Sequence, residues 1–104
     1  MSAVQLSENT LRLVRHIFPP EDRAAVIAAL EARCGSGLPL WASTTPEGLE
    51  RIRLAVLKLS SGSLPQFERA LAIANTDWRD VLVAAGFGNS LLAHINWLDG
   101  QIRS

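Results

Sequence analysis

Proline and glycine divide this chain into helix-length pieces, and that spacing constrains the fold more than any other feature. Proline suits a first helical turn, where its missing N–H is not needed, and glycine suits the left-handed residue past a helix end. Pro19 and Pro20 close a first segment, about Ser7 to Phe18, because a proline ring disfavours helical geometry in the residue before it. The same pair opens a second segment, with Glu21 and Asp22 at the positive helix end and Gly35 behind it. Thr45 and Pro46 begin a third, which runs to Gly62. Ser63, with Gln66 three residues on, reads as the capping box of a fourth that Asn75 and Thr76 break. Asp77 caps a fifth, ending at Gly86, and a sixth spans about Asn89 to Asp99 with Gly100 behind it.

Apolar residues recur inside these segments with helical spacing, and no segment sustains the two-residue alternation of a strand. Leu11, Val14 and Phe18 mark the inner face of the first. Val26, Ile27, Leu30 and Cys34 mark the second. Leu49, Ile52, Val56 and Leu59, widened by Leu54 and Leu57, make the third the central helix. Leu64, Phe67, Leu71 and Ala74 follow in the fourth, Val81, Leu82 and Ala85 in the fifth, and Leu91, Leu92, Ile95 and Leu98 in the sixth. The expected fold is all-α: a bundle of five or six short helices forming one domain over residues 1–104, with about 1–6 as a flexible tail. The irregular stretch Gly35 to Thr45 contains Leu38, Leu40 and Trp41, so it is expected to pack on the body.

Composition narrows the function classes. With 104 residues, 48% of them hydrophobic, the chain can build one core and not two. Ten basic residues balance ten acidic ones, so no global field gathers phosphates or anionic lipid. That argues against nucleic acid as a partner. Apolar runs such as Ala24 to Leu30 are too short to span a bilayer, and Met1 to Ser7 lacks the basic start and apolar run of a signal peptide. With the lone Cys34 unable to form an internal disulfide, these features point to the cytoplasm.

Four sets of residues could carry chemistry. In Asp77-Trp78-Arg79-Asp80, two carboxylates one turn apart flank a guanidinium, an arrangement able to hold a metal or polar ligand. Ordinary helix physics accounts for the same four residues as cap, packing group, ion-pair partner and dipole complement. Residues 81–98 have the helix–glycine–turn–helix layout of a DNA-binding motif, with Asn89, Ser90, His94 and Asn96 as donors. That second helix holds no lysine or arginine for the phosphates. His94 with Asp77 or Asp80 could serve a small metal-dependent or hydrolytic enzyme, although His16, His94 and Cys34 fall short of a four-ligand zinc site. Cys34 sits in register with Leu30 and Ile27 at a helix C-terminus, which favours burial over nucleophilic use. Trp41, in the stretch with least regular structure, is a candidate interface anchor. No phosphate-cradling glycine loop, HExxH or CxxC motif occurs, and no cofactor is expected.

Three stretches, Phe18-Pro19-Pro20-Glu21-Asp22-Arg23, Glu50 to Ser60 and Thr76 to Phe87, resemble segments of small uncharacterised bacterial proteins of similar length. The likeness spans roughly Phe18 to Trp97 and is most distinctive from Asp77 to Phe87. It implies a bacterial cytoplasmic protein with an encoded neighbour as partner, and it transfers no activity, cofactor or site residue. The expected function is a protein–protein interaction or accessory module that meets a protein partner or a second copy of itself. DNA binding through 81–98 and enzymatic use of Asp77, Asp80 and His94 are the alternatives.

Overall fold

The computed structural model describes residues 6–34, 46–87 and 93–103. Six α-helices account for nearly all of them: α1 (Glu8–Ile17), α2 (Pro20–Arg33), α3 (Pro46–Ser60), α4 (Leu64–Thr76), α5 (Trp78–Ala85) and α6 (Ala93–Arg103). No strand occurs among the described residues, so the fold is the expected all-α bundle. The radius of gyration, 12.4 Å, matches the value of about 13 Å for a compact domain of this length.

The third helix is the centre. It packs against α1, α4, α5 and α6, and every residue from Ile52 to Leu57 is buried. A helix that hides all of its faces in this way can only lie inside the bundle. The run includes Arg53, a cation in the core. Its Nε donates to the Cys34 carbonyl at 2.8 Å, at the C-terminus of α2.

The same device recurs at other helix ends. Arg23 donates to the Phe18 and Arg15 carbonyls at the end of α1, at 3.0 and 2.8 Å. Arg51 donates to the Phe87 carbonyl and Lys58 to the Ala85 carbonyl at 2.7 Å, both at the end of α5. A helix C-terminus presents unpaired carbonyls and the negative end of the dipole, so a cation satisfies both at once. Four of the chain's basic residues are thereby turned onto backbone oxygens.

The capping signals of the sequence are met with three adjustments. Ser7 caps α1 by accepting from the Thr10 amide at 3.1 Å, and Pro20 opens α2. The Gly35 and Thr45 caps lie outside the described residues. The box at α4 is half formed: Ser63 Oγ accepts from the Gln66 amide at 3.5 Å, while Gln66 Oε1 accepts from Arg69 instead of reaching back. Asn75 and Thr76 do not break α4 but complete it. Asn75 Nδ2 bonds to the Leu71 and Arg33 carbonyls and Thr76 Oγ1 to the Ala72 carbonyl, so both side chains reinforce the last turn. Asp77 then ends α4 and starts α5, and Gly86, at φ +81°, ends α5.

The largest adjustment is in α6, which runs through Gly100 to Arg103. Among its described side chains His94 and Leu98 are buried, whereas Ile95, expected on the inner face, is 40% exposed. The helix is therefore rotated by about one position from the expected face. Leu91 and Leu92 lie outside the described residues. Leu6, inside the stretch expected to be a tail, belongs to the core. It precedes the Ser7 cap by one residue, where an apolar side chain can fold back on the helix it introduces.

Two glycines have opposite expected responses to substitution. Gly62, at φ +78°, lets the α3–α4 turn touch α1: a Cβ there would sit 2.6 Å from the Ile17 carbonyl oxygen. Gly62→Ala is expected to destabilise the protein by about 2 kcal/mol, from the left-handed penalty and the displaced contact. Gly100 is helical with nothing within 4 Å of the corresponding position. Gly100→Ala is expected to stabilise by about 0.5–1 kcal/mol. Thermal melts of the two variants should move in opposite directions, and a shared sign would rule out one of these backbone assignments.

Candidate functional site

The most conspicuous polar cluster in the sequence, at the start of α5, is a helix terminus. Asp77 Oδ1 accepts from the Arg79 amide at 3.0 Å, the N-cap bond. Both Asp77 oxygens also accept from the Arg79 guanidinium, at 2.9 and 2.8 Å. The hydrogen bonds from Arg79 hold the Asp77 pKa below its ordinary value. Trp78 is half-buried against the core, and Asp80 is exposed in the first turn.

A lowered carboxyl pKa means that the folded state favours the charged form. The contribution of Asp77 is present above about pH 4 and is lost as the pH falls through its folded value. Asp77→Ala is expected to lower the thermal midpoint at neutral pH, while Asp77→Ser, which keeps the cap acceptor but not the ion pair, should recover most of the loss. Equal midpoints for the two variants would assign the contribution to the Arg79 pair instead.

His94 is buried in α6. It is 5% exposed, its ring lies 6.1 Å from that of Phe87, and Nδ1 has no hydrogen-bond partner among the described residues. Burial pushes its pKa below the ordinary value, with Glu50 opposing that shift and Arg51 adding to it. The ring is thereby held neutral. Among the described residues no three His, Cys, Asp or Glu side chains converge, so Asp77, Asp80 and His94 do not form a metal centre. Cys34 is fully buried, and desolvation pushes its pKa up to about 12, against the opposing effect of Arg53. It is a protonated packing group at neutral pH. Trp41 lies outside the described residues.

A concave feature among the described residues was not legible from motifs. A cleft of about 500 Å³ opens between α1, α3 and α6. His16 and Ile17 form one side at the end of α1, and Trp97 and Gln101 of α6 form the other. Leu57 and Lys58 lie at the end of α3, with Ser61 in the following turn. That turn holds its shape because Ser61 and Gly62 both take left-handed backbone conformations, at φ +50° and +78°.

Lys58 is the single lysine of the chain. Its Nζ lies 5.1 Å from the Phe87 ring centroid and 5.8 Å from that of Trp97, within cation–π range of both. Trp97 in turn packs 6.0 Å from Phe87 and stays half-buried. The ammonium is thus fixed by two aromatic faces and the Ala85 carbonyl, and no carboxylate lies within 4 Å of it among the described residues. No family model, curated protein or solved structure matches this chain. The chemistry of the cleft is that of its own side chains. A lone lysine in a chain whose other cations are all arginine was the one available sequence signal for it.

Proposed function

We propose that this chain is a small protein–protein interaction module and that the α1–α3–α6 cleft is its contact face. The observation that carries the reading is the combination in one cleft of a half-buried tryptophan, aliphatic walls and a fixed cation. Interfaces place an aromatic or aliphatic anchor at a partly apolar centre and polar groups at the rim. Ile17, Leu57 and Trp97 supply the first, and His16, Ser61 and Gln101 the second.

The disposition of charge supports a protein partner over nucleic acid. Arg23, Arg51 and Arg53 are directed at backbone carbonyls, which reduces the cations ready to meet phosphates. His94, counted among the donors of a helix-turn-helix over 81–98, is buried. No helix among the described residues is long and apolar enough to cross a membrane. The proposal sets the protein in a bacterial cytoplasm, a setting in keeping with its buried free thiol.

The test is affinity capture of the tagged protein from its native cells, with and without nuclease, beside a Gln101→Trp variant that fills the cleft from its rim. A stoichiometric protein that survives nuclease and disappears with Gln101→Trp is the expected result. A partner captured equally by the variant would remove the cleft as the contact face.

A further inference from the structure

Lys58 lines the proposed contact cleft, its Nζ 5.8 Å from the ring centroid of Trp97 in the α6 wall, and a cation in that place restricts what the partner can be. Lys58 carries three N–H donors, and one is used on the Ala85 carbonyl. The two aromatic rings hold its position without neutralising its charge. None of the described residues lining the cleft is acidic, and His16 forms the rim on the α1 side. A partly desolvated ammonium without a counter-charge attracts an anion more strongly than a fully hydrated one. The surrounding Ile17, Leu57 and Trp97 reward an apolar group beside that anion.

The shape of the cleft decides between a free small molecule and part of a larger one. A small-ligand pocket encloses most of its occupant. Here only Leu57 of the lining residues is buried, and the other six are half-buried or exposed. The cleft can cover one face of an occupant and leave the rest to something else. A segment of a folded or folding partner meets that condition, because its far side is covered by its own protein.

We infer that the cleft receives a partner-protein segment presenting an aspartate or glutamate beside an apolar side chain, the carboxylate seated on Lys58 Nζ and the apolar group against Trp97. This rests on the interaction reading above and names its chemistry. Lys58 then has two roles: it caps α5 from inside and reads the partner from outside.

The experiment is to pan a random peptide library displayed on phage against the intact protein, then titrate the selected peptide while following the Trp97 indole N–H resonance. The expected peptides share an acidic residue next to a large apolar one, and binding shifts Trp97. Exchanging the peptide's Asp or Glu for Asn or Gln weakens it roughly ten-fold, the usual weight of a hydrogen bond to a charged group. His16→Glu, an exposed change that sets a carboxylate at the rim, should weaken the acidic peptide by a similar factor and leave the fold intact. Lys58→Gln should do the same, but it also removes the Ala85 contact, so His16→Glu carries the test if Lys58→Gln unfolds.

Peptides that shift Trp97 yet bind unchanged after amidation of their acid would overturn the carboxylate inference and leave the interaction reading standing. Failure of every selected peptide to shift Trp97 would overturn both. Displacement of the peptide by hexanoate at equal affinity would make a free carboxylate the occupant. A Trp97 shift that grows with protein concentration alone would make it a second copy. Either result would overturn the partner segment.

Discussion

Phe67→Ala is expected to cost about 4 kcal/mol of folding stability, within the range for removing a buried phenylalanine side chain. Phe67 is 1% exposed, and its ring meets that of Phe18 edge-on, with centroids 5.9 Å apart and planes at 77°. The pair joins the first turns of α4 to the end of α1, two elements far apart in sequence. Truncation removes the transfer energy of the ring and leaves a cavity between helices whose backbones cannot close up. A domain of this size has about 5–15 kcal/mol in total, so the variant should show a sharply lowered denaturant midpoint with an unchanged slope. A double-mutant cycle with Phe18→Leu should return about 0.5–1.5 kcal/mol of coupling for the aromatic pair. A loss below about 1 kcal/mol for Phe67→Ala would show that the two rings do not pack as described.

The second large effect is alkaline. The Cys34 thiol, pushed up from 9.0 to about 12 by burial, keeps its proton in the folded state long after the unfolded chain has released it. A group whose pKa is raised by folding gives its full stabilisation below the unfolded value, and that stabilisation is lost as the pH rises toward the folded one. From about pH 9 the protein should therefore lose about 1.4 kcal/mol per pH unit, or ~3 kcal/mol by about pH 11. The chain offers little to obscure this, since it has no tyrosine and one lysine. Denaturant titrations at stepped pH should show the slope in the wild type and a flat line in Cys34→Ala, which trades it for a pH-independent packing loss. Parallel slopes for the two proteins would mean that the thiol is accessible to hydroxide while folded.

Elements and caps were legible in this sequence because each is decided locally. Ser7, Ser63, Asp77 and Gly86 act within one helical turn of themselves, and they cap where their residue types say they should. The burial of Cys34 was likewise readable from its register with Leu30. Arg53 was not. Nothing in its neighbours announces that the carbonyl of Cys34, 19 residues earlier, will lie beside it in the core. The face of α6 was illegible for a related reason: Ile95 is more apolar than His94, yet His94 is the one buried, its ring beside that of Phe87. The cleft was hidden most completely, because its walls come from three helices and its cation is one unremarkable lysine until Trp97 and Phe87 are placed around it. The polar run at Asp77 is conspicuous because its residues are adjacent, which is the property that lets a helix cap explain them.

The uneven sharing of contacts among the helices has a kinetic consequence. The helices α3, α4 and α5 follow one another along the chain and make the densest packing in the molecule, whereas α1, α2 and α6 join them through fewer contacts. Local contacts form with little loop-closure entropy, so the stretch from Pro46 to Phe87 is the natural folding nucleus. The helices on either side then dock onto a hub already in place. Two of the three walls of the cleft, α1 and α6, belong to this late-docking layer, while the floor at Leu57 and Lys58 belongs to the nucleus. The base of the cleft thus belongs to the most densely packed part of the bundle, and an occupant bridging its walls would stabilise the docked state of α1 and α6 by mass action.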